Sequence, residues 1–432
     1  MQILITAAGS HGDIAPYTGV GARLRAAGHH VTLATHDTFA PLVRAAGLDF
    51  RSLPADPRAP RPTAGQTPDP APTTQRALMR RAAAFIRQLG AGMAEAAAPG
   101  TDLLLLSTTT APLGWHLAEA LDVPSLGLAL QPTAPTGDFA PVVNGSRSLG
   151  RWGNRTAGRL TLRVIDRLHA DAARDLRTRL GLPPATPRTV RRRVEAANWP
   201  VLHGFSELLV PRPRDWRPGL DVVGTWWPHL PPGRELPSPL EDFLAAGPPP
   251  VYVGFGSMAA GEGERLGALA VRALRRAKVR GILQAGWAGL TAPDATAPDI
   301  LTIGEVPHAL LFPRVAAAVH HCGAGTTAAA LRAGIPTVPV PVTADQPFWA
   351  ARLHALGAAT PPIPFTALAR TLSADDAVTR LAAALTQATT TPALRTRAQH
   401  AAHRLATEDG AAAVLQAVAD VTKQPPRTAT LP

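Results

Sequence analysis

The stretch from Glu305 to Trp349, EVPHALLFPRVAAAVHHCGAGTTAAALRAGIPTVPVPVTADQPFW, constrains the fold more than any other part of the chain. It reads as two strand-loop-helix units in succession. Val315 to Val319 is a short apolar strand, His320 to Thr327 a glycine-containing turn, and an alanine-rich helix follows to about Ala333. Ile335 to Val340 makes a second buried strand, and a further loop leads into a helix from about Gln346. Apolar strands alternating with helices imply a parallel sheet, whose ligands sit at the carboxyl ends of the strands. HHCGAGTT is therefore a ligand loop. Gly323 and Gly325 put no Cβ between the backbone and a bound group, and Thr326 and Thr327 open a helix whose first amides are unpaired. A diphosphate is the natural guest.

Composition bounds the rest. A chain of 432 residues holds two or three domains, at roughly 100–200 residues each. The single cysteine, Cys322, excludes an internal disulfide framework and fits a reducing, cytoplasmic setting. Gln2 to Ala8 reads as a strand running into a glycine turn, without the basic segment of a secretory leader. No apolar run approaches the roughly 20 residues that span a bilayer, so stable membrane insertion is not expected. The net charge of +12 is almost wholly arginine, dense between Arg151 and Arg193 but without the interleaved aromatics of a nucleic-acid platform. That region reads as a solvated basic face, with weak attraction to anionic membranes as its minor alternative.

From the start of the chain, Gln2 to Ala7 is a buried strand and AAGSHGDIAP the loop at its carboxyl end. A helix from about Ala15 to Ala27, a strand His29 to Thr35 and a strand Leu48 to Leu53 follow. This β-α-β-α-β opening is half of a doubly wound sheet, and its first loop occupies the usual site position. Pro54 to Pro72 reads as a mobile loop over the cleft, and 131–145 as a loop too apolar to be a linker. Thr225 to Pro239 has five prolines and no apolar periodicity, and marks a domain boundary. The second half then repeats the architecture from VYVGFGS (Val251 to Ser257), and Gln424 to Pro432 reads as a frayed tail.

The P-H-x-x-L-F segment, the H-H-x-G-A-G-T-T turn, the A-G-x-P segment and the D-Q-P-F-W loop occur in that order, and together they resemble the donor-binding signature of the UDP-glycosyltransferase superfamily. The likeness is closest to its bacterial antibiotic and sterol glycosyltransferases. It extends to VYVGFGSM and the amino terminus, and so covers most of the chain. The resemblance implies a GT-B fold, two facing Rossmann-like domains with an interdomain cleft. The expected divisions are an acceptor domain over 1–228, a donor domain over 229–408, and a final segment, 409–432, packing back on the first domain. It implies an inverting, metal-independent transfer of sugar from a UDP- or dTDP-sugar to a hydroxyl of a small hydrophobic natural product. The nucleotide sugar is a co-substrate, no cofactor is implied, and the protein would be a monomer or homodimer. A nucleotide-sugar epimerase of the same fold and a non-catalytic partner of another transferase are the rival readings.

Site residues follow from the same likeness. The G-x-x-G-D-x-x-P pattern (Gly9, Gly12, Asp13, Pro16) resembles the loop that carries the general base, and on local sequence alone Asp13 reads equally as a helix cap. His11 is the rival base, standing where relatives tend to have arginine. His321 is expected on the donor diphosphate together with Gly323, Gly325 and Thr326, and Ser257 meets the phosphates from the opposite side. Asp345 and Gln346 are expected on the sugar hydroxyls, Val306 and His308 on the base and ribose, and Trp287 at the nucleotide's border. A metal centre from His320, His321 and Cys322 is disfavoured, because adjacent residues rarely converge on one ion. No D-x-D occurs in the chain, which favours helix amides over a chelated metal for the diphosphate.

Overall fold

The computed structural model describes residues 1–54, 75–97, 100–256, 262–286, 289–292 and 298–423. The expected loop over Pro54 to Pro72 and the tail from Gln424 fall almost wholly outside these residues. The first sheet contains β1 (Gln2–Thr6), β2 (His30–His36), β3 (Asp49–Leu53), β4 (Leu103–Ser107), β5 (Ser125–Ala129), β6 (Val201–His203) and β7 (Leu220–Val222). They pair in parallel in the order β3-β2-β1-β4-β5-β6-β7. The second sheet contains β8 (Val251–Gly254), β9 (Gly281–Gln284), β10 (Ile300–Ile303), β11 (Ala317–His320) and β12 (Thr337–Pro339), in the order β10-β9-β8-β11-β12 and again parallel. Two doubly wound α/β domains result, the GT-B arrangement.

The runs are short and apolar because both faces of each sheet are covered by helices. Leu103 to Leu106 of β4 and Val251 to Val253 of β8 are all buried. β11 and β12 are shorter than their apolar runs suggest. Arg314 lies in a short helical turn before β11, and β12 ends at Pro339, with the Val340 N–H donating once more to the His320 carbonyl at 2.9 Å. The helix Pro187–Ala196, not foreseen in the sequence, is capped by Thr186, whose hydroxyl accepts from the Thr189 N–H at 3.1 Å.

The domains are tied together twice. The final helix, Gly410–Lys423, returns to the first domain, where Val414 and Val418 are fully buried with Ile3, Tyr17 and Val20. Each such valine contributes about 1.5–3 kcal/mol. The Trp226 indole N–H donates to the Gly410 carbonyl at 3.0 Å, so the outgoing and returning chains touch. Further along the seam, Phe139 packs at a tilt against Phe348 at 5.2 Å and Phe205 meets Trp349 edge-on at 5.8 Å.

Candidate active site

In a doubly wound sheet the ligand crevice opens where the strand order reverses. The reversal lies between β1 and β4 in the first sheet and between β8 and β11 in the second. From β1 the chain passes through Ala7 to Ser10 into the helix His11–Ala26. His11 and Asp13 thus belong to the helix itself. The expected start near Ala15 is corrected by a local bond: the Ser10 N–H and hydroxyl both donate to Asp13 Oδ2 at 2.8 Å. That contact closes the first turn four residues early and moves Pro16 into the second turn. Asp13 is therefore a cap through one oxygen. Its Oδ1 has no protein partner among the described residues. His11 is exposed, its ring edge-on to Phe39 at 6.2 Å.

On the opposing domain, β11 delivers His321, Cys322 and Gly323 to the helix Ala324–Arg332. The His321 ring is slotted between two glycines. A Cβ on Gly256 would stand 3.0 Å from its Cε1, and one on Gly323 only 2.7 Å from its Nε2. A Cβ on Gly325, by contrast, would have no atom of the described residues within 4 Å beyond its own helix and chain neighbours. Burial, opposed by a backbone hydrogen bond with Gly254, holds His321 at about 4, well below the usual 6.5. His320 is fully buried, and its Nδ1 accepts from the Cys322 N–H at 3.0 Å. Burial, helped by positive charge on His321 and His308, pushes it to about 3. These imidazoles are neutral at pH 7. The positive potential of the loop comes from N–H groups and from the helix amides ahead of Thr327, whose own N–H bonds the Gly323 carbonyl at 2.9 Å.

Cys322 (φ +64°) and Ala344 (φ +56°) both hold the left-handed conformation that suits glycine, one in each loop beside the crevice. The Cys322 thiol is fully buried and pushed up well above its usual range, as expected of a packing residue.

After β12 the chain turns into the helix Gln346–Ala355, with Asp345 at its cap position. Asp345 Oδ2 accepts from the Trp349 indole N–H at 2.8 Å. Burial raises its pKa, negative charge on Asp13 raises it further, and bonds from Trp349 and Gln131 oppose this. Gln346 is buried, and its Oε1 accepts from the Val342 N–H at 2.9 Å and the Thr343 N–H at 3.1 Å. Its carbonyl thus fastens its own loop, leaving only the NH₂ for a ligand.

The P-H segment follows edge strand β10, so Val306 and His308 lie further from the reversal point than His321. His308 stacks on Phe312 at 4.3 Å, and its Nε2 lies 3.4 Å from the Tyr252 hydroxyl, which also bonds Gln284. Burial, then charge on His11 and His321, holds it at about 4. Val306 is half-buried against the cluster containing Tyr252 and Phe312. Ser257 and Trp287 lie outside the described residues. Sequence reasoning missed Gln131, Tyr252 and Gln284. Gln131 follows the run of β5 directly, whereas Tyr252, buried, and Gln284, half-buried, lie within strands and carry no local signal.

Two family models match the chain: the glycosyltransferase family 28 N-terminal domain over residues 3–133, and the erythromycin biosynthesis protein CIII-like C-terminal domain over residues 291–421. O-mycaminosyltylonolide 6-deoxyallosyltransferase of Streptomyces fradiae is 36% identical over 424 residues, covering 95% of both chains. A sterol 3-beta-glucosyltransferase of Arabidopsis thaliana is 35% identical over 381 residues, 84% of this chain and 58% of that protein's length. Among solved structures, the glycotransferase of kitacinnamycin superposes with a TM-score of 0.70 at 19% identity, covering 97% of this chain and 98% of the other. VinC in complex with DTDP gives 0.65 at 20% identity, covering 98% and 100%. These two structural likenesses concern the fold.

Proposed function

Because the chain belongs to the glycosyltransferase family of O-mycaminosyltylonolide 6-deoxyallosyltransferase and the sterol 3-beta-glucosyltransferases, we propose that it is an inverting, metal-independent enzyme moving a sugar from a UDP- or dTDP-sugar to a hydroxyl of a small hydrophobic natural product. The observation that carries this reading is that the helix after β1, His11–Ala26, packs against the helix after β11, Ala324–Arg332, so that the two reversal points meet. Charge on Asp13 reaches Asp345 across the seam, and charge on His11 reaches His308. Groups suited to proton transfer and to donor binding therefore face one another.

In this reading Asp13 Oδ1 takes the acceptor's hydroxyl proton while Oδ2 stays fixed by Ser10. The acceptor oxygen forms its bond to the anomeric carbon as the bond to the diphosphate breaks on the opposite face, which inverts the centre. The departing diphosphate gains charge, and the amides at the start of Ala324–Arg332, with a neutral His321 N–H, stabilise it. Asp345, fixed by Trp349 and Gln131, meets sugar hydroxyls with its remaining acceptor capacity. His11, whose charge reaches His308, belongs to the donor side. Val306 and His308 border the base and ribose. A reducing cytoplasm is the proposed compartment, consistent with the lone Cys322.

The test is a panel of UDP- and dTDP-sugars against hydrophobic aglycones, read by mass spectrometry, with the anomeric configuration taken from NMR. Inverted glycoside formed in EDTA is expected. Retained configuration, or activity abolished by chelator and restored by one particular ion, would sink the mechanism. A donor sugar converted to its epimer, still attached to the nucleotide and with no acceptor present, would point to epimerase chemistry.

A further inference from the structure

Of the seven large apolar side chains exposed among the described residues, five fall between Val143 and Val164: Val143, Leu149, Trp152, Leu160 and Val164. Trp152 is 83% exposed. The last four lie on or just before the 30-residue helix Gly150–Arg179. On its wheel Trp152, Arg159, Leu160, Arg163, Val164 and Arg167 share one sector of about 140°. Arginine recurs at every fourth residue, at 147, 151, 155, 159, 163 and 167.

Arg151 and Arg155 turn away to pair with Asp138 at 2.9 Å and Asp215 at 3.0 Å. Arg159, Arg163 and Arg167 are exposed and have no carboxylate partner among the described residues. The only acid up to Arg167, Asp166, is buried against Arg191. Arg87 pairs with Asp171 and Asp175, and Arg179 with Glu95, so the helix Gln75–Ala96 runs parallel beside this one. That places exposed Met79 alongside Val164. An apolar face this size does not stay in water without a use, and its flanking charge is of one sign.

We propose that this face seats on an anionic lipid bilayer. Trp152, Leu149, Leu160 and Val164 enter the boundary between headgroups and acyl chains, and Arg159, Arg163 and Arg167 meet the lipid phosphates. The combination of an interfacial tryptophan, short aliphatics and arginines without counter-charges matches that boundary in both polarity and sign. No helix among the described residues is long and apolar enough to cross a membrane, so the attachment is peripheral. The seat is coupled to the loop after β5. Asn154 accepts from the Leu149 N–H at 2.8 Å and donates to the Gly137 carbonyl at 3.0 Å. A hydrophobic compound dissolved in the membrane would thus meet that loop first. The docking itself does not depend on the transfer chemistry.

The experiment is co-sedimentation of the full chain with vesicles of phosphatidylcholine alone or mixed with phosphatidylglycerol. Binding is expected only to the mixed vesicles and should weaken with salt. Arg159→Gln/Arg163→Gln/Arg167→Gln should lower it roughly 100-fold. Leu160→Asp/Val164→Asp should abolish it, with both variants keeping the wild-type circular dichroism and Tm. No sedimentation with anionic vesicles at low salt, or binding indifferent to both variants, would overturn the proposal. So would a wild-type dimer that Leu160→Asp/Val164→Asp dissociates, since the face would then be an interface between copies.

Discussion

Burial raises the pKa of Asp345, and the negative charge of Asp13, carried by the opposite domain, raises it further. The charge of one carboxylate is thus felt by the other across the seam. For an acid whose folded pKa is raised, the stabilising contribution is complete below the unfolded value, about 4, and is lost as pH rises through the folded value. Asp345→Asn should therefore raise Tm at pH 7 and change it little at pH 4. The Asn carbonyl can still accept from Trp349. Sugar discrimination should fall in the same variant. A lower Tm at pH 7 would show that the charge is not strained.

Asp13 carries two roles on two oxygens, and substitutions separate them. Asp13→Asn keeps an acceptor for Ser10 and should hold its stability, while kcat falls roughly 10²–10⁴-fold. Asp13→Ala should lose about 1 kcal/mol as well, the usual worth of a helix cap. His11→Ala is expected to act mainly on donor KM. If Asp13→Asn stays nearly active and His11→Ala is dead, the base is His11.

Three histidines of the second domain are held neutral, His308 and His321 at about 4 and His320 at about 3. With folded values depressed, their contribution is complete above 6.5 and is lost as pH falls toward those values. The urea midpoint should be flat above pH 7 and drop between 6.5 and 4. A bound nucleoside diphosphate brings negative charge to His321, so binding should take up protons in the same window. Calorimetry in buffers of different ionisation enthalpy measures this, and pH-independent affinity would remove His321 from the diphosphate.

Gln346 fastens the amides of Val342 and Thr343. Gln346→Ala should cost about 1–3 kcal/mol in urea unfolding, because two amides lose their acceptor. A residue acting only on sugar hydroxyls would change KM and leave the midpoint alone.

Cys322→Gly relieves a left-handed φ but forfeits the packing of the thiol, and should shift stability by less than about 1 kcal/mol. Cys322→Val, β-branched at the same φ, should cost several times more. Equal losses in the two would place the effect in packing alone.

Much of this was legible because the strands announce themselves. β4 and β8 are unbroken apolar runs, and the Gly-rich turn after β11 marks a close approach, at Gly323 that of the His321 ring itself. Local chemistry also misled. Asp13 could be either cap or base on sequence alone, and the Ser10 bonds that make it a cap, and start the helix at His11, depend on side-chain direction. The Asp345–Asp13 opposition and the Tyr252–Gln284–His308 group join residues far apart in the chain, which no periodicity reports. The basic stretch from Arg151 reads as a solvated face, and Arg159, Arg163 and Arg167 are exposed; that Trp152 and Leu160 are exposed beside them depends on which side of the helix meets the domain.

The single hydrogen bond from Trp226 to the Gly410 carbonyl has a mechanical consequence. The chain leaves the first domain near Trp226 and re-enters it near Gly410, so the second domain hangs from two adjacent strands of backbone pinned side by side. A body held at one point can swing and twist freely. One held at two neighbouring points behaves like a door, with a single axis running through both. Phe139 on Phe348 and Phe205 on Trp349 hold the same seam further along, so any parting of the Asp13 and Asp345 sides about that axis must first undo these aromatic contacts.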